Sequence, residues 1–175
     1  MRNVQTRIIN APASTVGALI DTLAGPDDQL WPASTWPTLK LDYGLTVGSR
    51  GGHGPIRYHV SEYEPGRRVR FTFEPVTGVT GYHELRVEPL TPDGCRLVHE
   101  LVGRLHGRTH LAWLLAIRWL HKALIHDLLD NAQRSATGEL AHPSRWSPWV
   151  RLLRRAERSR ANAKPRERAA TPHSG

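Results

Sequence analysis

Two histidines carry the chemistry this sequence offers most directly. In Gly81-Tyr82-His83-Glu84-Leu85-Arg86-Val87, residues 83, 85 and 87 fall on one side of an extended chain. In Leu97-Val98-His99-Glu100-Leu101, residues 97, 99 and 101 do the same. Side chains alternate across a strand, so each imidazole stands with the apolar residues, on the concave side. The two segments are hairpin neighbours, which brings the rings within reach of each other. An imidazole titrates near neutral pH. Such a pair can hydrogen-bond a carbonyl or hydroxyl of a ligand, or act on it as acid and base. The same placement also suits two core histidines satisfied by backbone groups or water.

Further candidates lie on either side of this pair. Trp36, Tyr58, Phe71 and Phe73 supply apolar surface at strand and loop positions, as core or as the wall of a cavity. Trp31-Pro32 and Trp36-Pro37 set two bulky rings on stiffened backbone, suited to capping a cavity mouth. Arg118, His121 and Lys122 interrupt a helical apolar arc. A cation buried there needs a partner, such as a ligand carboxylate or phosphate; otherwise Arg118 and Lys122 snorkel to water or pair with Asp127.

Other chemistries find less support. A zinc site needs three or four convergent ligands, and the ten histidines show no such spacing. Neither a metal nor a cofactor is expected. Gly48 to Gly54 lacks the Gly-Lys-Ser/Thr ending of a phosphate loop and is expected to be a mobile hairpin loop. No nucleophile elbow occurs. The single cysteine, Cys95, excludes an internal disulfide framework and suits a reducing cytoplasm. No signal-peptide core and no apolar run of membrane-spanning length is present.

The elements that must position these residues follow from periodicity. Arg2 to Ile9 alternates, with Val4, Thr6 and Ile8 on one side and Gln5 and Arg7 on the other, as in a half-buried strand. A helix follows from Pro12, carried by Val16, Leu19, Ile20 and Leu23, and Pro26 to Leu30 is expected to add a helical turn. Strands are expected over 39–43, 56–63, 67–74, 79–89 and 95–105, separated by turn signals. From 108 to 137 the period becomes helical, with Leu111, Leu114, Leu115, Leu120, Leu124 and Leu128 in a wide apolar arc. This is an α+β order, with an antiparallel sheet and one long helix.

The charge is concentrated at one end. The chain of 175 residues carries 24 Lys and Arg against 16 Asp and Glu; of these, nine and two lie in 143–175. Residues 1–142 are therefore nearly neutral, and a nucleic-acid footprint is not expected for the main domain. The division is a domain at 1–142 and a basic tail at 143–175, with a short helix over 146–160 and disorder beyond. Trp146, Trp149, Arg151, Arg154 and Arg155 would suit an anionic membrane interface; the alternatives are a solvated tail or a helix docked on its own domain. A cytoplasmic protein, peripheral to the membrane at most, is the resulting expectation.

The order of elements resembles the START-like or SRPBCC superfamily, which includes polyketide cyclase/dehydrase-type and pollen-allergen-like proteins. The resemblance rests on the opening strand into Ile9-Asn10-Ala11-Pro12-Ala13, the turn in Val60-Ser61-Glu62-Tyr63-Glu64-Pro65-Gly66-Arg67, Phe71-Thr72-Phe73, Leu97-Val98-His99 and the terminal amphipathic helix, over residues 2–138. It implies a helix-grip fold, in which a curved antiparallel sheet wraps the long helix and encloses an apolar cavity. The superfamily includes lipid and hormone carriers, chaperone-binding modules, aromatase/cyclases and a few oxygenase domains, so the fold alone does not fix function. A small hydrophobic ligand is the implied partner, with Trp36, Tyr58, Phe71, Phe73, His83, His99, Arg118 and His121 as its contacts. The alternative is a cyclase or dehydratase using His83 or His99.

Overall fold

The computed structural model describes residues 1–169, with side chains as far as Ser159. Seven strands form one antiparallel sheet in the order β1-β7-β6-β5-β4-β3-β2. They are β1 (Arg2–Ile9), β2 (Lys40–Leu41), β3 (Arg50–His53), β4 (Ile56–Glu64), β5 (Arg68–Phe73), β6 (Val79–Thr91) and β7 (Gly94–Leu105). Helix α1 (Ala13–Asp21) follows β1. A second helix runs without interruption as α2 (Thr109–Ala112), a π-helical turn (Trp113–Ile117) and α3 (Arg118–Thr137), and α4 (Pro148–Ala169) comes last. The sheet curves around α3, which packs on β1 and α1, giving an α+β helix-grip fold. A bulge between Val60 and Glu62 helps bend β4.

The alternation in β6 and β7 places chemistry inside and charge outside. Glu84 and Glu100 point to the convex face. There Glu84 meets Arg70 at 2.8 Å and Arg86 at 2.9 Å, while Glu100 meets Arg2 at 2.7 Å and Arg86 at 3.1 Å. His83, Leu85 and Val87 consequently face the concave side, as do Leu97, His99 and Leu101.

Four local expectations need correction. In β1 the polar side is the inner one: Gln5 and Ile9 are buried, whereas Ile8 is 60 % exposed. Arg7 is drawn inward because it donates to Asp130 (2.5 Å) and Gln133 (2.7 Å) on α3. Gly48 to Gly54 contains the paired strand β3. A Cβ at Gly51 would lie 1.9 Å from the Lys40 carbonyl, so glycine is there for close strand approach. Pro26 to Leu30 forms no helix; Asp28 caps this turn, accepting from the Ala24, Leu30 and Trp31 amides. Finally, the apolar arc of the long helix is buried only in its second half. Leu111, Leu114 and Leu115 are exposed. The π turn inserts one extra residue per turn and rotates the preceding face away from the sheet.

The tail is docked on the domain. Trp146 packs edge-on to Trp36 with ring centres 5.3 Å apart. Both indole N–H groups donate to one carboxylate oxygen of Asp127, at 2.9 and 2.7 Å. Ser144 donates twice to Asp130, and Val150 is buried. Helix α4 extends beyond the expected 146–160 through Ala169. The expected disorder of 170–175 lies outside the described residues.

Candidate functional site

A cavity of about 240 Å³ lies between the concave sheet and the long helix. Its floor is a series of rings supplied by successive strands. Tyr58 (β4) is 1 % exposed, and its hydroxyl stands 3.0 Å from His53 Nδ1 (β3). The Tyr58 ring meets His83 (β6) edge-on at 4.9 Å, and Phe71 (β5) stacks on His83 at 5.1 Å. Phe73 lies 5.2 Å from the same imidazole. His83 and His99 (β7) are 5.7 Å apart between ring centres, and His99 lies 5.0 Å from His121 of α3. The helix side of the wall is spaced by threes and fours, through Trp113, Ile117, Leu120, His121, Leu124 and Leu128. That stripe starts in the π turn, whose rotation turns Trp113 toward the sheet.

The histidines are strongly desolvated. Burial lowers His53 to about 3, with the charges of His121 and Arg57 adding to the effect. Burial alone lowers His121 to about 4. His83 and His99 are held well below the usual histidine range by burial and by the neighbouring imidazoles. All four are therefore neutral at physiological pH, each with one donor and one acceptor nitrogen. Three of these nitrogens, His83 Nε2, His99 Nδ1 and His121 Nδ1, find no partner in the protein. Burial also pushes the Tyr58 phenol up, so it stays a neutral donor. Among the described residues, no group of three or more His, Cys, Asp or Glu side chains could hold a metal ion.

Seven of the eight residues expected to touch a ligand line this cavity: Trp36, Tyr58, Phe71, Phe73, His83, His99 and His121. Arg118 does not. It is exposed, with its guanidinium 4.7 Å over the Trp119 ring, because the π turn sets it on the outer face. Lys122 is exposed as well. Asp127 pairs with neither; it holds the two indoles of the tail and loop. Trp31 joins the wall, its indole N–H donating 3.0 Å to the Pro37 carbonyl. Cys95 is buried in β7, away from the cavity lining.

Sequence reasoning missed His53, Arg154 and Glu157, which also line the cavity. For His53 a signal existed: Gly54-Pro55 makes a tight turn that puts His53 opposite Ile56, on the side that also carries Tyr58. For Arg154 and Glu157 there was none, since their placement depends on how α4 docks. Of the tail residues expected to meet a membrane, Trp146 and Arg154 face inward. Trp149, Arg151 and Arg155 remain exposed.

A curved sheet gripping a helix around an apolar cavity defines a helix-grip protein. The chain belongs to the family described as polyketide cyclase / dehydrase and lipid transport, whose model matches residues 1–137. The family description covers polyketide cyclisation or dehydration and lipid transport, so small hydrophobic molecules are the coarse class of partner. Solved structures share the fold at low identity. A solution structure from Thermobifida fusca is 16% identical with TM-score 0.57, covering 81% of this chain and 99% of that one. CalU16 from Micromonospora echinospora is 18% identical with TM-score 0.54, covering 89% of this chain and 82% of that one. Truncated norcoclaurine synthase from Thalictrum flavum is 12% identical with TM-score 0.59, covering 80% and 95%. No curated protein matches the chain by sequence. Among the described residues, no helix is long and apolar enough to cross a membrane.

Proposed function

We propose that this protein binds a small amphipathic molecule in the cavity. The observation that carries the reading is the set of three buried ring nitrogens without protein partners in a largely apolar chamber. An unpaired buried polar group costs about 1–3 kcal/mol. A ligand hydroxyl or carbonyl at His83, His99 and His121 offsets that cost and fixes orientation, while Tyr58, Phe71, Phe73 and Trp36 supply apolar contact. Size narrows the ligand. A 150 Å³ cavity holds benzene, so about 240 Å³ suits a molecule of one or two fused rings, or a short acyl chain.

Binding is favoured over acid–base turnover by the proton affinities. Imidazoles held well below the usual histidine range are rarely protonated at neutral pH, so they are scarce as acids and weak as bases. The enzyme reading keeps support from the family description and from norcoclaurine synthase, solved with a transition-state analogue on this fold. In that reading His83 or His99 removes an acidified proton beside a carbonyl. The test is native mass spectrometry of freshly purified protein, followed by displacement of an apolar fluorophore by the extracted mass. A retained small molecule is expected, and His99→Ala should weaken its binding about tenfold. If His99→Ala abolishes turnover of that molecule and leaves affinity intact, the enzyme reading replaces this one. If no retained mass and no fluorophore binding is found, the binding reading fails.

A second reading is attachment to an anionic membrane. It is supported by exposed Leu111, Leu114, Leu115, Trp119, Trp149 and Leu152 beside exposed Arg118, Lys122, Arg151 and Arg155. Trp149 joins the two helices, donating 2.9 Å to the Leu115 carbonyl. Apolar side chains rimmed by cations suit an interface in which each cation adds about 1 kcal/mol. The protein should sediment with phosphatidylglycerol vesicles, and the double variant W149A/L152E should lose about tenfold in that affinity. Failure of the unaltered protein to sediment rejects the reading.

A further inference from the structure

The family match ends at residue 137, but the cavity wall continues into α4 with Arg154 and Glu157. Arg154 is 7 % exposed. Its guanidinium lies 4.5 Å over the Trp36 ring. Nη2 donates 2.5 Å to the Thr35 carbonyl and Nη1 donates 2.5 Å to Glu157 Oε2. The buried Nε–H has no partner in the protein. A buried cation needs both its charge and its donors matched. Here the charge is met by a single carboxylate whose side chain is 45% exposed, one turn along the same helix. The carboxylate half of this pair can return to water, provided that another carboxylate takes its place on the buried cation.

We propose that Glu157 holds the place of a ligand carboxylate, making Arg154 an anion-recognition subsite on the α4 side of the cavity. The ligand class is then an apolar monocarboxylate, with its ring or chain against Trp36 and the histidine floor. The ligand's carboxylate takes the Nε–H and the positive charge, while Glu157 swings into solvent. One carboxylate replaces another, so no net charge is added to the apolar chamber. The aromatic face of Trp36 holds the guanidinium in place throughout the exchange. This deepens the binding reading and rests on it.

The test uses the full chain with naphthoate and its neutral isostere naphthamide, measured by titration calorimetry. Naphthoate is expected to bind more tightly than naphthamide. Arg154→Gln should weaken naphthoate about tenfold, the loss of a charge-assisted pair. Glu157→Gln, whose folding is checked by its melting temperature, should strengthen naphthoate several-fold by removing the competitor. Naphthamide should move with neither. Parallel shifts of both probes in either variant would show that Arg154 only anchors α4 and overturn the proposal, as would weaker naphthoate binding in Glu157→Gln. If naphthamide binds and naphthoate does not, the cavity reading stands and the carboxylate subsite falls. If neither binds, both fall together.

Discussion

Acid should unfold this protein well above the pH at which its carboxylates protonate. In the unfolded chain each histidine titrates near 6.5; in the folded protein His53 and His121 are lowered to about 3 and about 4, and His83 and His99 lie well below normal. Below pH 6.5 the unfolded state therefore binds protons that the native state refuses. Stability rises with pH across that window and is lost as pH falls from about 6.5 toward the folded values. Each such histidine costs about 1.4 kcal/mol per pH unit. The full slope is reached only below the unfolded value, so four together cost about 4 kcal/mol over the first unit, close to the whole stability of a marginal domain. The carboxylates contribute later: Glu100, held low mainly by its hydrogen bond from Arg2, loses its contribution only below the ordinary carboxylate range. Urea midpoints at about pH 7.5, 6.5 and 5.5 should fall steeply over the last interval, and His99→Gln should remove about a quarter of the slope. A midpoint that stays level down to about pH 5 would mean that the four imidazoles are hydrated in the native state.

Truncation of one loop side chain should do comparable damage. Trp36→Ala is expected to cost about 3–5 kcal/mol, the range for a buried aromatic cut to a methyl group. Trp36 is 6 % exposed and makes three different attachments: its N–H to Asp127, its edge to Trp146, and its face to the Arg154 guanidinium. Removing it leaves the half-buried Asp127 with one donor fewer; desolvation already raises that carboxyl against the pull of both indoles. Helix α4 then loses its seat, and trypsin should cut at Arg151, Arg155 and Arg158 far faster than in the unaltered protein. If the melting temperature falls while those sites stay protected, α4 is held by contacts other than the Trp36 cluster.

The strands and their facing were legible because a period of two leaves a plain record. The inward direction of His83 and His99 follows from Leu85, Val87, Leu97 and Leu101 beside them. The same rule misled at β1, where apolar Val4 and Ile8 turn outward. Alternation separates two faces without naming the inner one, and Asp130 on α3 made the Arg7 side inner by pairing with it. In the long helix, periodicity identified the element and its length, yet put Leu111 and Leu114 in one apolar arc with Leu124 and Leu128, and Arg118 among the ligand contacts. A single π turn overrode that, and nothing local in Trp113-Leu114-Leu115-Ala116-Ile117 announces it.

From the residues alone came the element order, the α+β class, the floor of Tyr58, Phe71, Phe73, His83 and His99, and the near-neutral domain with its basic end. Each is a property of spacing or composition. The assembly of four histidines into one desolvated cluster was decided in three dimensions, since His53 and His121 reach it from an adjacent hairpin and the opposite layer. So was the seat of the tail. A run of arginines and tryptophans is equally consistent with water, a membrane or a docked helix. The choice was made by the two indoles converging on Asp127 and by Arg154 closing over Trp36, contacts that tie the tail and the long helix to a loop about a hundred positions earlier in the chain.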